Sequence, residues 1–395
     1  MKTKKVCQFV YIILFFLIIA IMSIFSIKNS YRPLGSMVKS IFYGKNTVKI
    51  NILNFQNTFE KRIAGRKNWI DLHGLAQRIM LKNEVGNFDV VKDKAGMLHL
   101  PISPRSDELL AEFTDNLSKI YHYASEKKIS FLYVQAPAHI INGKTEFIAG
   151  LDNKYKEDAL DRFLGYIDAK TIPFLDMRQY IKDMSVKEIY YKTDHHWSLK
   201  TAFRTMTILI DKINILYNLN IDKDWKIRNL SDYIKISYQQ SFLGSIGIRT
   251  GKYYAGKDDF EIYIPIFETD LSYSHYENGN LTLTTGGDFY STFIDESILH
   301  NASYNNKYNA FLFGGYVENK IVNYCADNEL KCLLISDSFS RIMAPYLSLC
   351  FRETVYLDPQ PERYTDSYAA YIDKYKPDVI VVLFNGQAVY ADIPF

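Results

Sequence analysis

Six consecutive apolar residues, Val379, Ile380, Val381, Val382, Leu383 and Phe384, constrain the fold of this chain more than any other segment. A strand with one wet face alternates apolar and polar side chains. A run without alternation must be covered on both faces. This one is short and ends at Asn385-Gly386, a turn dipeptide. Similar short runs occupy 129–134, 332–335 and 355–357, with further strands expected at 173–176 and 310–313. Helical spacing separates them. Leu110, Phe113, Leu117, Ile120 and Tyr121 form one stripe, and 155–168, 339–349 and 368–375 also read as helices. Ala202, Met206, Leu209, Ile213 and Leu216 form another, with Ser198 as its expected N-cap. The pattern predicts an α/β fold, a parallel sheet flanked by helices.

Residues 218–306 break this alternation. Gly244, Gly247, Gly251 and Gly256 punctuate them, and short β-like pieces fall at 260–265 and 281–285. A β/loop insertion is expected there, a candidate wall or lid for a site. Ahead of the alternating part, 29–100 reads as a stalk and small helical cap, closed by Pro101 and Pro104. The expected organisation is therefore 1–28 as tail and anchor, 29–100 as stalk and cap, and 101–395 as the main domain carrying the insertion.

Lys2, Lys4 and Lys5 precede an apolar run over 6–27. At 1.5 Å per residue such a run reaches roughly 30 Å, enough to cross a bilayer. Basic residues before it place the N-terminus inside and the rest outside. A cleaved signal peptide would show a shorter apolar core and a small-x-small site. The run ends Ser23-Ile24-Phe25-Ser26-Ile27 with no such site, so the reading is a retained transmembrane helix held in membrane lipid. A net charge of +3 gives no argument for nucleic acid as a partner. Cys7 lies in the apolar run. Cys325, Cys332 and Cys350 include no C-x-x-C pair and are expected as buried free thiols.

In a parallel sheet, ligands bind beyond the carboxyl ends of the strands. Ser336-Asp337-Ser338-Phe339-Ser340 falls at such an end, where a strand turns into a helix. Asp194-His195-His196-Trp197 precedes a helix. Acyl transfer needs a serine, a base to take its proton and a carboxylate to orient the base. Asp194 and His196 are two positions apart and can point to one side. The carboxylate can then hold one ring nitrogen and leave the other for the serine. Ser338 competes with Ser336 and Ser340 for that role, and its N–H near a helix start can serve an oxyanion. Asn385 can supply a second donor. Each segment also has a plain structural reading. Asp337 or Ser338 can cap the helix, Asp194–His196 can be a polar turn, and Asn385 can be a turn residue. Asp, His and His are also metal ligands. Asp152 and Asp158 lack the Asp-rich form that a manganese phosphoesterase would add.

These residues carry a resemblance. Tyr191-Lys192-Thr193-Asp194-His195-His196-Trp197 resembles the D-x-H-W block of extracytoplasmic polysaccharide O-acetyltransferases with an SGNH-hydrolase-like domain, those of alginate acetylation among them. The doubled histidine is the mark of the related DHHW family. Residues 336–340 are similar to the G-D-S-F-S nucleophile block, with Ser336 in place of its glycine. Residues 377–386 resemble the strand bearing the oxyanion asparagine, and 242–260 the DHHW insertion. No glycine follows Tyr356-Leu357-Asp358, where the second oxyanion block would stand. The resemblance spans most of the chain after Phe55.

It implies an SGNH-hydrolase-like sheet with Ser338 as nucleophile, His196 as base and Asp194 as its orienter. Asn385 and the Ser338 N–H become the oxyanion donors. His195, Trp197, Tyr191 and Arg363 complete the candidate site. No metal or other cofactor is required. The implied activity is that of a membrane-anchored, extracytoplasmic serine O-acyltransferase or acetylesterase acting on a cell-surface polysaccharide. The acyl donor would come from a multi-pass membrane acyltransferase. A non-catalytic glycan-binding or assembly protein on a degenerate hydrolase fold is the alternative.

Overall fold

The computed structural model describes residues 62–101, 105–148, 159–277, 279–301, 306–315, 317–359 and 367–386, with scattered positions before them. Arg363 and part of the apolar run 6–27 lie outside the described residues. Among the described residues, no helix is long and apolar enough to cross a membrane. The chain divides into two compact units, Met1–Ala76 and Gln77–Phe395. In the first, the Ala64 N–H donates to Ser26 Oγ at 3.1 Å. Everything below concerns the second.

Its strands, in chain order, are β1 (Glu84–Val85), β2 (Val90–Lys92), β3 (Leu98–His99), β4 (Ser130–Gln135), β5 (Phe174–Asp176), β6 (Tyr233–Phe242), β7 (Asp258–Pro265), β8 (Leu271–Glu277), β9 (Asn280–Gly287), β10 (Glu318–Asn323), β11 (Lys331–Ser336), β12 (Glu353–Leu357) and β13 (Val379–Phe384). The main sheet has the order β5-β4-β13-β11-β12-β10-β8-β9. Its first five strands are parallel. The central register sets Leu334 between Val381 and Tyr356. β1, β2 and β3 form a small antiparallel sheet, and β6 pairs with β7.

Helices α1 (Asp107–Glu126), α2 (Ala159–Ala169), α3 (Leu199–Tyr217) and α4 (Tyr368–Tyr375) cover the sheet. Alternate residues of each central strand serve opposite faces, and both faces are apolar. On one, Phe131, Leu333, Ile335, Ile380 and Val382 meet Phe113 and Leu117 of α1, Phe163 of α2 and Tyr371 of α4. On the other, Leu132, Val134, Leu334, Val381 and Leu383 belong to the cluster with Phe203, Met206, Leu209 and Ile213 of α3. Each such side chain contributes roughly 1.5–3 kcal/mol on burial, which is why these runs need no polar alternation. Ser198 caps α3, accepting from the Thr201 N–H at 3.2 Å. Leu216, read as part of the α3 stripe, is 42% exposed near the helix end.

Three expectations are corrected. Residues 310–313 are no strand. Ala310 ends a 3₁₀ turn, Lys307–Ala310, Phe311 makes only an isolated bridge to Ile294, and Leu312 and Phe313 take positive φ, which no strand allows. Residues 339–349 are not one helix. A 3₁₀ turn, Ser338–Arg341, is followed by a separate helix, Ala344–Ser348, started by Pro345, which has no N–H to give. The sheet is also not wholly parallel, since β10, β8 and β9 add an antiparallel edge. Among the described residues, Cys325, Cys332 and Cys350 are free thiols; Cys332 and Cys350 are buried, but Cys325, expected buried, is exposed.

Candidate active site

The serine turn starts where β11 ends. Ser336 is fully buried, and so is Ser340; of the three serines, Ser338 is the one that meets an imidazole. Asp337 caps the turn, its Oδ1 accepting from the Phe339 N–H at 2.9 Å. Its Oδ2 accepts from Asn385 twice, from the backbone N–H at 3.0 Å and from Nδ2 at 2.6 Å. One carboxylate thus ties the end of β11 to the end of β13. Burial pushes the Asp337 carboxyl up, against the hydrogen bonds from Asn385 and Phe339. Behind the turn, the Phe339 carbonyl accepts from Trp197 Nε1 at 2.9 Å and Tyr308 Oη at 3.0 Å. Tyr356 Oη donates to the Asp337 carbonyl at 2.8 Å. These donors hold the carbonyls on either side of Ser338.

His196 sits on a loop closed by a bridge between Tyr190 and Trp197. Asp258 of β7 shapes its start, accepting from the N–H groups of Lys192 and Thr193 and from Thr193 Oγ1, at 2.6–2.9 Å. Thr193 in turn accepts from the Gly244 N–H on Oγ1 and the Gly247 N–H on its carbonyl, both at 2.8 Å. The segment after β6 therefore clasps the loop. Contact is close enough to demand glycine: a Cβ on Gly244 would lie 2.3 Å from Asp194 Cβ.

Asp194 is fully buried. Its Oδ1 faces His196 Nδ1 at 2.5 Å and accepts from the His196 N–H at 3.0 Å. Its Oδ2 accepts from the Ser245 N–H at 2.5 Å. Burial works against the Asp194 charge, but His196, His195 and the Ser245 N–H outweigh it and hold the carboxyl well below its usual range. His196 Nε2 lies 2.7 Å from Ser338 Oγ. The His196 ring stacks on Tyr308 at 4.0 Å between centroids, with planes 18° apart. An aspartate, an imidazole and a serine hydroxyl thus form one hydrogen-bonded line, the arrangement that moves a proton off a nucleophile.

The doubled histidine divides its work. His195 turns its Nδ1 to Ser245 Oγ at 2.9 Å. Partial burial, then His196, push its pKa down to about 4, so it is uncharged at neutral pH. Asp194, His195 and His196 offer ligand atoms within 4.8 Å of one another. The Asp194 oxygens meet His196 and Ser245, both His196 ring nitrogens meet Asp194 and Ser338, and His195 Nδ1 meets Ser245. A cation there would have to displace the very contacts that align the serine.

The remaining candidates take other places. Trp197 lies behind the serine turn. Tyr191 is buried against Phe242 and Phe260, beneath the base loop. Asn385 does stand at the end of β13, with its amide turned to Asp337. The sequence reading did not find Tyr308, Tyr356 or Asp258. Tyr308 lies in an irregular segment with no periodic signal. The glycine spacing after β6 was a visible sign of close approach, but its target was not.

No protein-family model matches the chain, and no curated protein matches it. Solved structures do. Two of PatB1 from Bacillus cereus share the fold, one with a TM-score of 0.60 at 18% identity, covering 77% of this chain and 98% of that one. The other, with a sulfonyl adduct, gives 0.59 at 17% identity, covering 77% and 96%. A DHHW family protein from Eubacterium siraeum gives 0.56 at 16% identity, covering 78% and 92%. The chain therefore shares with them a mixed α/β fold with a parallel-rich sheet. At these identities the likeness is one of fold.

Proposed function

We propose that this protein is a serine-dependent O-acyltransferase or acetylesterase acting on a cell-surface polysaccharide, anchored by residues 6–27 with its site outside the cytoplasm. The observation that carries the reading is the unbroken line Asp194–His196–Ser338, at 2.5 and 2.7 Å. His196 Nε2 takes the Ser338 proton as Oγ attacks the donor's acyl carbon. Asp194 holds Nδ1–H and stabilises the imidazolium that forms. The negative oxygen is assigned to the Ser338 N–H, at the first position of its turn where no intrahelical acceptor exists. Collapse expels the donor's alcohol, which takes its proton from His196. A sugar hydroxyl or water then gives its proton to His196 and attacks the acyl-serine, and Ser338 Oγ leaves with that proton from His196. The tight turn supports this reading, since Asp337, Trp197, Tyr308 and Tyr356 hold it in place before substrate arrives. The apolar run and its basic flank support the anchored, extracytoplasmic placement. A multi-pass membrane acyltransferase as donor partner belongs to the same proposal.

The test is turnover of an aryl acetate by the full chain in detergent, with acetyl transfer to surface polysaccharide followed in parallel. Ser338→Ala and His196→Ala should each lower turnover by about 10⁴-fold or more. Full activity in either variant overturns the mechanism. Polysaccharide binding without any turnover would assign the site to a binding protein instead.

A further inference from the structure

A groove that the acyl-transfer chemistry does not use runs along α3. Lys200, Phe203, Arg204, Thr207 and Ile208 line it. Their spacing of three and four puts them on one face of the helix, over roughly 12 Å of its axis. The buried ring of Phe203 gives the groove an apolar floor. Its volume of about 770 Å³ is that of a ligand cleft. α3 begins at Leu199, directly after the loop that carries His196. Lys200 and Leu230 also line a second depression, of about 460 Å³, which reaches Tyr190, Tyr191 and Asp258. The groove is thus continuous with the surface beside the base loop.

The segment after α3 sets a tryptophan in the groove wall. Trp225 is 49% exposed and takes a φ of 57°, a conformation that bulky side chains seldom adopt. Buried contacts hold it there. The Trp225 N–H donates to the Asp222 carbonyl at 3.1 Å. Asp222 accepts from the Ile227 N–H on Oδ1 at 3.0 Å, and from the Arg228 N–H and Nε on Oδ2 at 3.1 and 2.9 Å. Arg228 is 5% exposed and also donates to Asp211. Its guanidinium lies 4.2 Å from the centre of a Trp225 ring. The indole therefore rests on a fixed, buried ion pair, and half of the residue is left to solvent. Strain kept at an exposed aromatic residue by such support points to a use for its position. Tyr180, 38% exposed, adds a second ring from the 3₁₀ turn Met177–Tyr180.

The polar groups of the groove select its ligand. Its cations are paired: Lys200 with Glu188 at 2.8 Å, Arg204 with Asp183 at 3.1 Å, and Arg228 with Asp222. Asp224 and Asp232 have no such partner among the described residues. Asn229 Oδ1 accepts from the Ser231 N–H at 3.1 Å, which leaves its Nδ2 to donate outward. An anionic ligand would meet two unpaired carboxylates and no unpaired cation among the described lining residues. A neutral sugar ring fits instead. Its apolar C–H face can lie on an aromatic ring, and its hydroxyls can meet carboxylates, an amide and the indole N–H.

We propose that the groove along α3 binds a neutral glycan chain, with Trp225 as its stacking platform, and holds that chain beside the base loop. The inference rests on the polysaccharide reading for the use of the groove, and on the groove's own side chains for the class of ligand. The buried Asp222–Arg228 pair sets Trp225 in place before the glycan arrives, so little ordering is lost on binding.

The test is isothermal titration of the full chain in detergent, carrying Ser338→Ala so that no chemistry intervenes. The probes are cellohexaose and chitohexaose, both neutral, and hexagalacturonate, which is anionic. A neutral hexamer should bind and hexagalacturonate should not. Adding Trp225→Ala should weaken the neutral hexamer by roughly 10- to 30-fold. If that variant has no thermal unfolding transition, Tyr180→Ala, from the separate turn, takes its place and should also weaken binding. Asp224→Asn with Asp232→Asn should raise the affinity for hexagalacturonate. Failure of both neutral hexamers to bind overturns the proposal. So does equal binding of the anionic one, or neutral-hexamer binding untouched by loss of the aromatic ring. Glycan binding that passes these tests, in a chain whose parent shows no Ser338-dependent turnover, would sink the acyl-transfer reading and leave this site standing.

Discussion

Asp194 keeps its charge in a fully buried position because every lone pair that matters has a donor: His196 N–H and Nδ1 on one oxygen, Ser245 N–H on the other. Its pKa lies below the ordinary carboxylate value, although burial alone would raise it. A depressed carboxylate pKa stabilises the folded chain above the unfolded value of about 3.9. That contribution is complete at neutral pH and is lost as pH falls through the lower folded value. Thermal unfolding of the parent chain and Asp194→Asn should therefore differ by a steady amount near neutrality and converge below about pH 4. A gap that widens on acidification would contradict the assignment. The same variant should lower kcat by about 10⁴-fold, since an amide presents the imidazole with the wrong partner. At this scale the three residues of the line were legible from their types, their spacing and their placement at strand ends. Tyr308, stacked on the base, was not legible, because it reaches His196 only through the tertiary fold. The position of Asn385 was legible too, while its hold on Asp337 was not, since that contact joins two strands distant in sequence.

Elements explain why the three side chains meet. The serine turn is a single 3₁₀ turn capped by Asp337, and it ends before Pro345 starts a new helix. The base loop is clasped by the segment after β6, where Thr193, Asp194, Gly244, Gly247 and Ser245 interlock. The sequence reading placed a wall or lid in this region. Within it, residues 244–247 hold the loop that carries Asp194 and His196. Gly244→Ala tests that hold. Its new Cβ would fall 2.3 Å from Asp194 Cβ, so the loop or the clasp must shift. Overpacking of this kind costs about 1–3 kcal/mol, read as a lower Tm. Turnover should fall with it while KM changes little, because the displaced group is the orienter of the base. Unchanged turnover would show that the clasp is dispensable.

Across the whole molecule, the parallel strands were legible because β4, β11, β12 and β13 are buried on both faces and need apolar residues throughout. β10 was not, because Glu318, Asn319, Lys320 and Asn323 make it read as loop, and its pairing between β12 and β8 is a tertiary fact. The parallel core brings the ends of β11 and β13 side by side, and Asp337 fastens them. From there the serine, its turn and the asparagine share one rim of the sheet, and α3 begins just after the base loop at the same rim. The central claim is that this rim activates Ser338 as a nucleophile. The most direct measurement is mass spectrometry of the full chain after treatment with an arylsulfonyl fluoride, in which Ser338 Oγ displaces fluoride. A single sulfonyl adduct on the peptide containing Ser338, absent in Ser338→Ala and strongly slowed in His196→Ala, is the predicted result. No adduct, or an adduct that persists in Ser338→Ala, would contradict it.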